Sequence, residues 1–71
     1  MNPTVDDHVV LVRSVRTETG RIAPPGTHGF ILQVSGDPAN EQYVTKLSIP
    51  NPPTTDEAEL AILGAEDFRV A

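Results

Sequence analysis

Apolar residues crowd the stretch His8-Val9-Val10-Leu11-Val12-Arg13-Ser14-Val15. An unbroken run of β-branched and aliphatic side chains favours a strand over a helix. Val9, Leu11 and Arg13 fall on one side of it, and Val10, Val12 and Ser14 on the other. Apolar groups on both sides mark a central strand, or one covered by a partner chain. Residues 1–7 form a polar lead-in. From Arg16 to Gly29 the chain is a long polar connection, in which Gly20 permits a turn. Pro24-Pro25-Gly26 predicts a type II turn, with Pro25 at the second position and Gly26 at the third, where φ must be positive. Ile22, the large aliphatic side chain of this loop, is expected to pack back onto the core.

A second strand is predicted over Phe30–Ser35, ending at Gly36-Asp37-Pro38, and a third over Gln42–Ile49. In the third, Tyr43, Thr45, Leu47 and Ile49 alternate with Gln42, Val44, Lys46 and Ser48, which gives one mainly apolar face and one polar face. Gly36 to Glu41 has the length and content of a hairpin connection. Pro50-Asn51-Pro52-Pro53 cannot continue a sheet, because proline lacks the donor. Thr54-Thr55-Asp56-Glu57 has the form of a capping box, so a helix over Ala58–Leu63 is one option. It would be only about two turns long, with little stability of its own, and a strand over Leu60–Leu63 is the preferred reading. Ala65-Glu66-Asp67 reads as a single helical turn. Phe68–Ala71 reads as a closing strand with Phe68 and Val70 inward.

Strand, long loop, strand, hairpin, strand, loop, strand, helical turn and short strand is the order of an SH3-like barrel. Asp7-His8-Val9-Val10-Leu11 resembles the opening of a group of small bacterial domains of unknown function. Gly26-Thr27-His28-Gly29-Phe30-Ile31-Leu32-Gln33-Val34 is similar to the Gly-x-x-Gly turn and strand that they share. Tyr43-Val44-Thr45-Lys46-Leu47 and Ile62-Leu63-Gly64-Ala65-Glu66-Asp67-Phe68-Arg69-Val70 resemble their central and closing strands. The barrel of the nitrile hydratase beta subunit is similar in layout. The resemblance implies a mainly β fold, a single small SH3-like barrel over residues 8–71 with about five strands and one short helical turn before the last. It carries no catalytic residue onto this chain.

With 71 residues the core is thin. Cysteine is absent, so disulfides and thiolate metal sites are excluded. Of the usual reinforcements of a small domain, oligomerisation is left, and a homo-oligomer is preferred to a monomer. The formal charge is −5, and the basic residues are not clustered. Nucleic acid and anionic membrane surfaces are therefore disfavoured partners. The N-terminal residues lack the pattern of a signal peptide, and the apolar runs are far too short to span a membrane, so a cytoplasmic location is expected.

No cofactor is expected, and no catalytic set stands out. Ser14, Ser35 and Ser48 lie in strands or at strand ends, outside any nucleophile elbow. His8, at a strand start, and His28, inside a turn, are better read as solvated rings than as bases. Adjacent residues on an extended chain diverge, so Asp6, Asp7 and His8 do not converge on a metal ion. Asp56, Glu57 and Glu59 read as a solvated acidic face. Gly26 to Gly29 lacks the following helix of a phosphate loop. Pro50 to Pro53 has PxxP spacing but reads as a stiff loop. Phe68 is assigned to the core, which leaves Phe30 and Tyr43 as aromatic contacts. The expected partner is therefore another protein, self or heterologous, meeting a surface that includes Arg16, Arg21, His28, Phe30 and Tyr43, with Glu18 on the same loop. The chain reads as a non-enzymatic interaction or accessory module. Two alternatives stay open. One is a small acidic inhibitor of the immunity or antitoxin kind that covers a basic partner. The other is an enzyme with a shared-subunit active site built around His28 and an acid.

Overall fold

The computed structural model describes residues 3–37, 39–49 and 57–71. Pro50–Pro53, Thr54–Asp56 and the side chain of Glu57, to which the stiff loop, the capping box and part of the acidic face were assigned, lie outside the described residues. Elsewhere the chain is mainly β. Its strands are β1 (His8–Leu11), β2 (Val15–Arg16), β3 (Ile22–Ala23), β4 (His28–Asp37), β5 (Asn40–Ile49), β6 (Glu57–Leu63) and β7 (Phe68–Val70), with a 3-10 turn at Ala65–Asp67 before the last. All pairings are antiparallel. Five strands make one sheet in the order β6-β5-β4-β1-β7, and β2 with β3 makes a second, two-stranded sheet. Among the described residues the five strands do not close into a barrel. No helix there is long and apolar enough to cross a membrane.

Alternation decides which side of β5 is buried. Tyr43, Thr45, Leu47 and Ile49 all point into the core, where they meet Val9, Leu11, Ile31, Leu63, Phe68 and the small Ala23 and Ala61. Thr45 is the polar member of this layer, and its hydroxyl donates to the Tyr43 carbonyl at 3.1 Å. A buried hydroxyl so satisfied costs little. The Phe68 ring meets Tyr43 edge-on at 5.2 Å, a favoured aromatic geometry. β1 is central, between β4 and β7, and Val9 and Val10 are buried from opposite sides.

β1 is shorter than its apolar run. After Leu11 the chain bends, the Val12 amide donates to the Asp67 carbonyl, and Val15 belongs to β2 instead. At Pro24-Pro25-Gly26 the expected turn is present, with Gly26 at φ 91° and the Thr27 amide donating to the Pro24 carbonyl. The turn is anchored to β1 from both sides, by Gly26 N–H to Leu11 O at 2.8 Å and Leu11 N–H to Thr27 O at 2.9 Å. His28 then opens β4 rather than sitting in the turn.

Two inward assignments are corrected. Ile22 is 53% exposed, and it is Ala23 that is buried. In a strand this short a one-residue difference in register exchanges the faces. Val70 is also exposed. It lies opposite Val9, but among the described residues β7 is an edge strand with no neighbour beyond it.

The β4–β5 hairpin is tighter than the sequence suggests. Its rungs continue to Asp37↔Asn40, so only positions 38 and 39 connect the strands. These last rungs lie past the final rung with β6, Tyr43↔Leu63, and past the β1 rungs at His28–Phe30. The hairpin therefore ends as a bare two-stranded ribbon, along a molecule 41 Å in its longest dimension. The register shifts once, between Ile31 and Gln33. Leu32 is the extra residue of this bulge, so Leu32 and Gln33 together oppose Val44.

Gly29 marks a close approach of β4 to β5 in the core. A Cβ there would stand 2.6 Å from the Lys46 carbonyl oxygen and 2.8 Å from Leu47 Cδ2. Gly29→Ala is expected to destabilise the fold by about 1–3 kcal/mol, the usual range for an overpacked core position. Urea denaturation compares it with the parent, and an unchanged midpoint would show that the strands separate freely at this point.

Candidate functional site

β6 departs from the usual rule for a sheet with one buried face, with an acid on its inner side and large apolar groups on its outer side. Opposite residues of antiparallel strands share a side, and the register puts Glu59, Ala61 and Leu63 with Leu47, Thr45 and Tyr43 on the core side. Ala58, Leu60 and Ile62 then face outward. Ile62 is 64% exposed and Leu60 is also exposed, while a glutamate points inward.

The inward carboxylate is met from the β2–β3 side. Glu59 Oε1 accepts hydrogen bonds from the hydroxyls of Thr17, at 2.6 Å, and Thr19. Glu59 Oε2 accepts from Arg21 Nη1 at 2.8 Å, and the Glu59 side chain is only 7% exposed. The Thr17 and Thr19 hydroxyls, and then Arg21, outweigh burial and hold the Glu59 carboxyl below the usual glutamate range. This corrects the reading of Glu59 as part of a solvated acidic face. One further backbone bond, Glu18 N–H to Leu60 O at 2.9 Å, fixes the loop after β2 against β6.

The outward side of the β4-β5-β6 ribbon is an apolar surface in two rows. Phe30, Lys46 and Leu60 form one row across the strands, and Gln33, Val44 and Ile62, with the bulge residue Leu32 beside Gln33, form the neighbouring one. Phe30 is 53% exposed, and Leu32 is exposed beside it. Lys46 is the charged residue within these rows, and its methylene stem can lie between Phe30 and Leu60 with the ammonium in water. Arg16, Thr17 and Glu18 overhang the Val44-Leu60-Ile62 end and close a groove of about 320 Å³. The other end holds a ring cluster. His8 stacks on Phe30 at 5.1 Å, and His8 Nε2 is hydrogen-bonded to His28 Nδ1 at 2.8 Å.

Of the five residues expected at a partner surface, three border this face. Arg16 lines the groove, and His28 and Phe30 form its ring-bearing end. Arg21 is turned away into the Glu59 network. Tyr43 is a correction, since it lies in the core, 3% exposed. Its hydroxyl donates to Glu41 Oε2 at 2.6 Å. That hydrogen bond to a carboxylate, reinforced by burial, raises the phenol above the usual tyrosine range. Asp7 is used locally, accepting from the Thr4 amide at 2.9 Å. Among the described residues no group of three or more His, Asp or Glu converges for a metal.

Sequence reasoning placed Val44 on the polar face of its strand but missed Leu32, Leu60 and Ile62 as surface residues, and His8 as the partner of His28. A signal for the first group was present, because Leu60 and Ile62 share a strand face on which Glu59 cannot lie. No family model matches the chain, and no curated protein or solved structure matches it.

The Glu59 network sets a pH dependence. A carboxyl whose pKa is lower in the folded than in the unfolded state adds stability above the ordinary glutamate range, about pH 4.3, and loses it as pH falls through the lowered value. Melting temperature followed from about pH 6 to about pH 3 should fall less steeply in Glu59→Gln than in the parent. Parallel profiles would mean that the carboxylate is not held by Thr17, Thr19 and Arg21 in solution.

Proposed function

We propose that this chain is a non-enzymatic protein-interaction module that pairs with a second copy of itself through the outer face of β4, β5 and β6. The observation that carries the reading is the outward side of β6, which turns Leu60 and Ile62 to solvent beside Phe30, Leu32 and Val44. Isolated exposed apolar side chains are ordinary, whereas a contiguous set bordered by polar residues is the mark of a contact surface. A small core without disulfides also gains most from burying a second layer. Charge favours the same face. The chain carries −5 overall, yet the two apolar rows hold no acid and only Lys46 as a cation, so most of the chain's like charge lies off the contact. A two-fold pairing would set the Phe30 end of one copy near the Ile62 end of the other, each patch serving as its own complement.

The finer fold assignment, an SH3-like barrel, belongs with this reading. It is supported by the sheet order β6-β5-β4-β1-β7 and by the 3-10 turn before the last strand. The β2–β3 hairpin inserted between β1 and β4, and the Glu18–Leu60 bond that joins it to β6, are also consistent with it.

Light scattering after size exclusion, over a range of concentrations, tests the pairing. The parent is expected to show a dimer mass that dissociates on dilution. Ile62→Lys and Phe30→Lys are expected to be monomers with stability within about 0.5 kcal/mol of the parent, as for ordinary surface changes. A parent that stays monomeric at every concentration, or variants that dimerise like it, would overturn the proposal.

A further inference from the structure

His8 opens β1 and His28 opens β4, and the rungs His8↔Phe30 and Val10↔His28 place the two rings diagonally on the same outer side. Both rings are exposed. Their centroids are 5.0 Å apart, with an interplanar angle of 30°, and His8 Nε2 faces His28 Nδ1 at 2.8 Å. The backbone around each is fixed by sheet hydrogen bonds, and Phe30 backs the His8 ring. The pair is thus a preset arrangement of two nitrogen donors, with solvent on the open side.

The two ring nitrogens stand close enough to share one ion. With metal–nitrogen bonds of about 2.0–2.1 Å, two imidazoles at right angles on one ion stand about 2.8–3.0 Å apart, while tetrahedral ligands stand about 3.3 Å apart. The 2.8 Å between the nitrogens is a hydrogen-bond separation, and the ring turns that binding needs bring it into either range, so the preference among ions follows the Irving–Williams order, with Cu(II) above Ni(II) and zinc. Imidazole suits these borderline ions, and no thiolate competes in a chain without cysteine.

We infer that His8 and His28 form a two-histidine binding site for a divalent transition metal, with Cu(II) held most tightly and Ni(II) more weakly. The ion takes the lone pairs of His8 Nε2 and His28 Nδ1, and water fills its remaining positions. The ring–ring hydrogen bond is broken in the process. Its proton moves to the far nitrogen of the donor ring, leaving His8 protonated at Nδ1 and His28 at Nε2, both neutral. Each ring needs only a turn about χ2, a soft torsion for histidine, to aim its lone pair at a common point off the present N···N line. This site does not depend on self-association, because both ligands come from one chain.

Isothermal titration of the 71-residue chain with CuCl2 and NiCl2 near neutral pH tests the site, with His8→Ala, His28→Ala and their double variant. The parent is expected to bind one Cu(II) per chain, with Ni(II) weaker, and each single variant to lose at least tenfold in Cu(II) affinity. The double variant should lose no more than about one further tenfold step, since one ligand alone gives no chelate. Electron paramagnetic resonance of the Cu(II) complex should show two equatorial imidazole nitrogens in the parent and fewer in either variant. Thermal melting of the metal-free proteins checks that the variants are folded. Equal Cu(II) affinity in folded parent and single variants would overturn the inference and mark the binding as adventitious, as would a spectrum without paired nitrogens.

Discussion

The fold turns on one inward carboxylate. Glu59 stands on the core side of β6, where a charge is costly unless its oxygens are filled. Thr17, Thr19 and Arg21 fill them, and all three come from the segment that carries β2 and β3. A hairpin of two-residue strands has almost no stability of its own, so this contact, with the Glu18–Leu60 backbone bond, is what seats it. Removing either side leaves a cost on the other, a bare carboxylate or a loose hairpin. The inward turn of Glu59 also has a geometric corollary, because its neighbours Leu60 and Ile62 must then point outward. Internal cohesion and external stickiness are thus two results of one choice of strand register.

The two faces of the sheet divide the work accordingly. The inner side is a single thin layer built on Leu47, Ile31, Leu11 and Leu63, with Thr45 fully buried among them. The outer side carries an apolar surface at one end and a pair of imidazoles at the other, linked by Phe30, which belongs to both. Arg16 and Glu18, set in place by the seated hairpin, wall the far end of that surface. The polar tie on one face therefore shapes the groove on the other.

Much of the strand layout was legible in the sequence. Strict alternation through Tyr43–Ile49 announced the buried side of β5, Pro24-Pro25-Gly26 announced its turn, and the weakness of a two-turn helix pointed to a strand ending at Leu63. The misses share a cause. Alternation tells which residues lie on the same side but not which side is covered, and in strands as short as β3 nothing local decides the matter, so Ile22 and Ala23 were exchanged. Tyr43 looked available as an aromatic contact because its polar end hid the need to fill space beside Phe68. Arg21 meets Glu59 across 38 positions of chain, and His8 meets His28 across 20. Such pairings are products of the completed sheet, and no local spacing encodes them.

The bare end of the β4–β5 hairpin gives the molecule an uneven resistance to opening. Among the described residues Ser35↔Gln42, Gly36↔Glu41 and Asp37↔Asn40 have no third strand on either side, and these six residues are exposed or only half-buried. Separating these rungs uncovers almost no apolar area, so they part at a small fraction of the free energy needed to unfold the whole chain. Amide protons at the tip will thus exchange with solvent by fraying, while those around Leu47 and Ile31 wait for global unfolding. The boundary between the two regimes falls at Tyr43, where the ring enters the core and its hydroxyl grips Glu41. That residue acts as the rivet at which a supple ribbon becomes a rigid sheet.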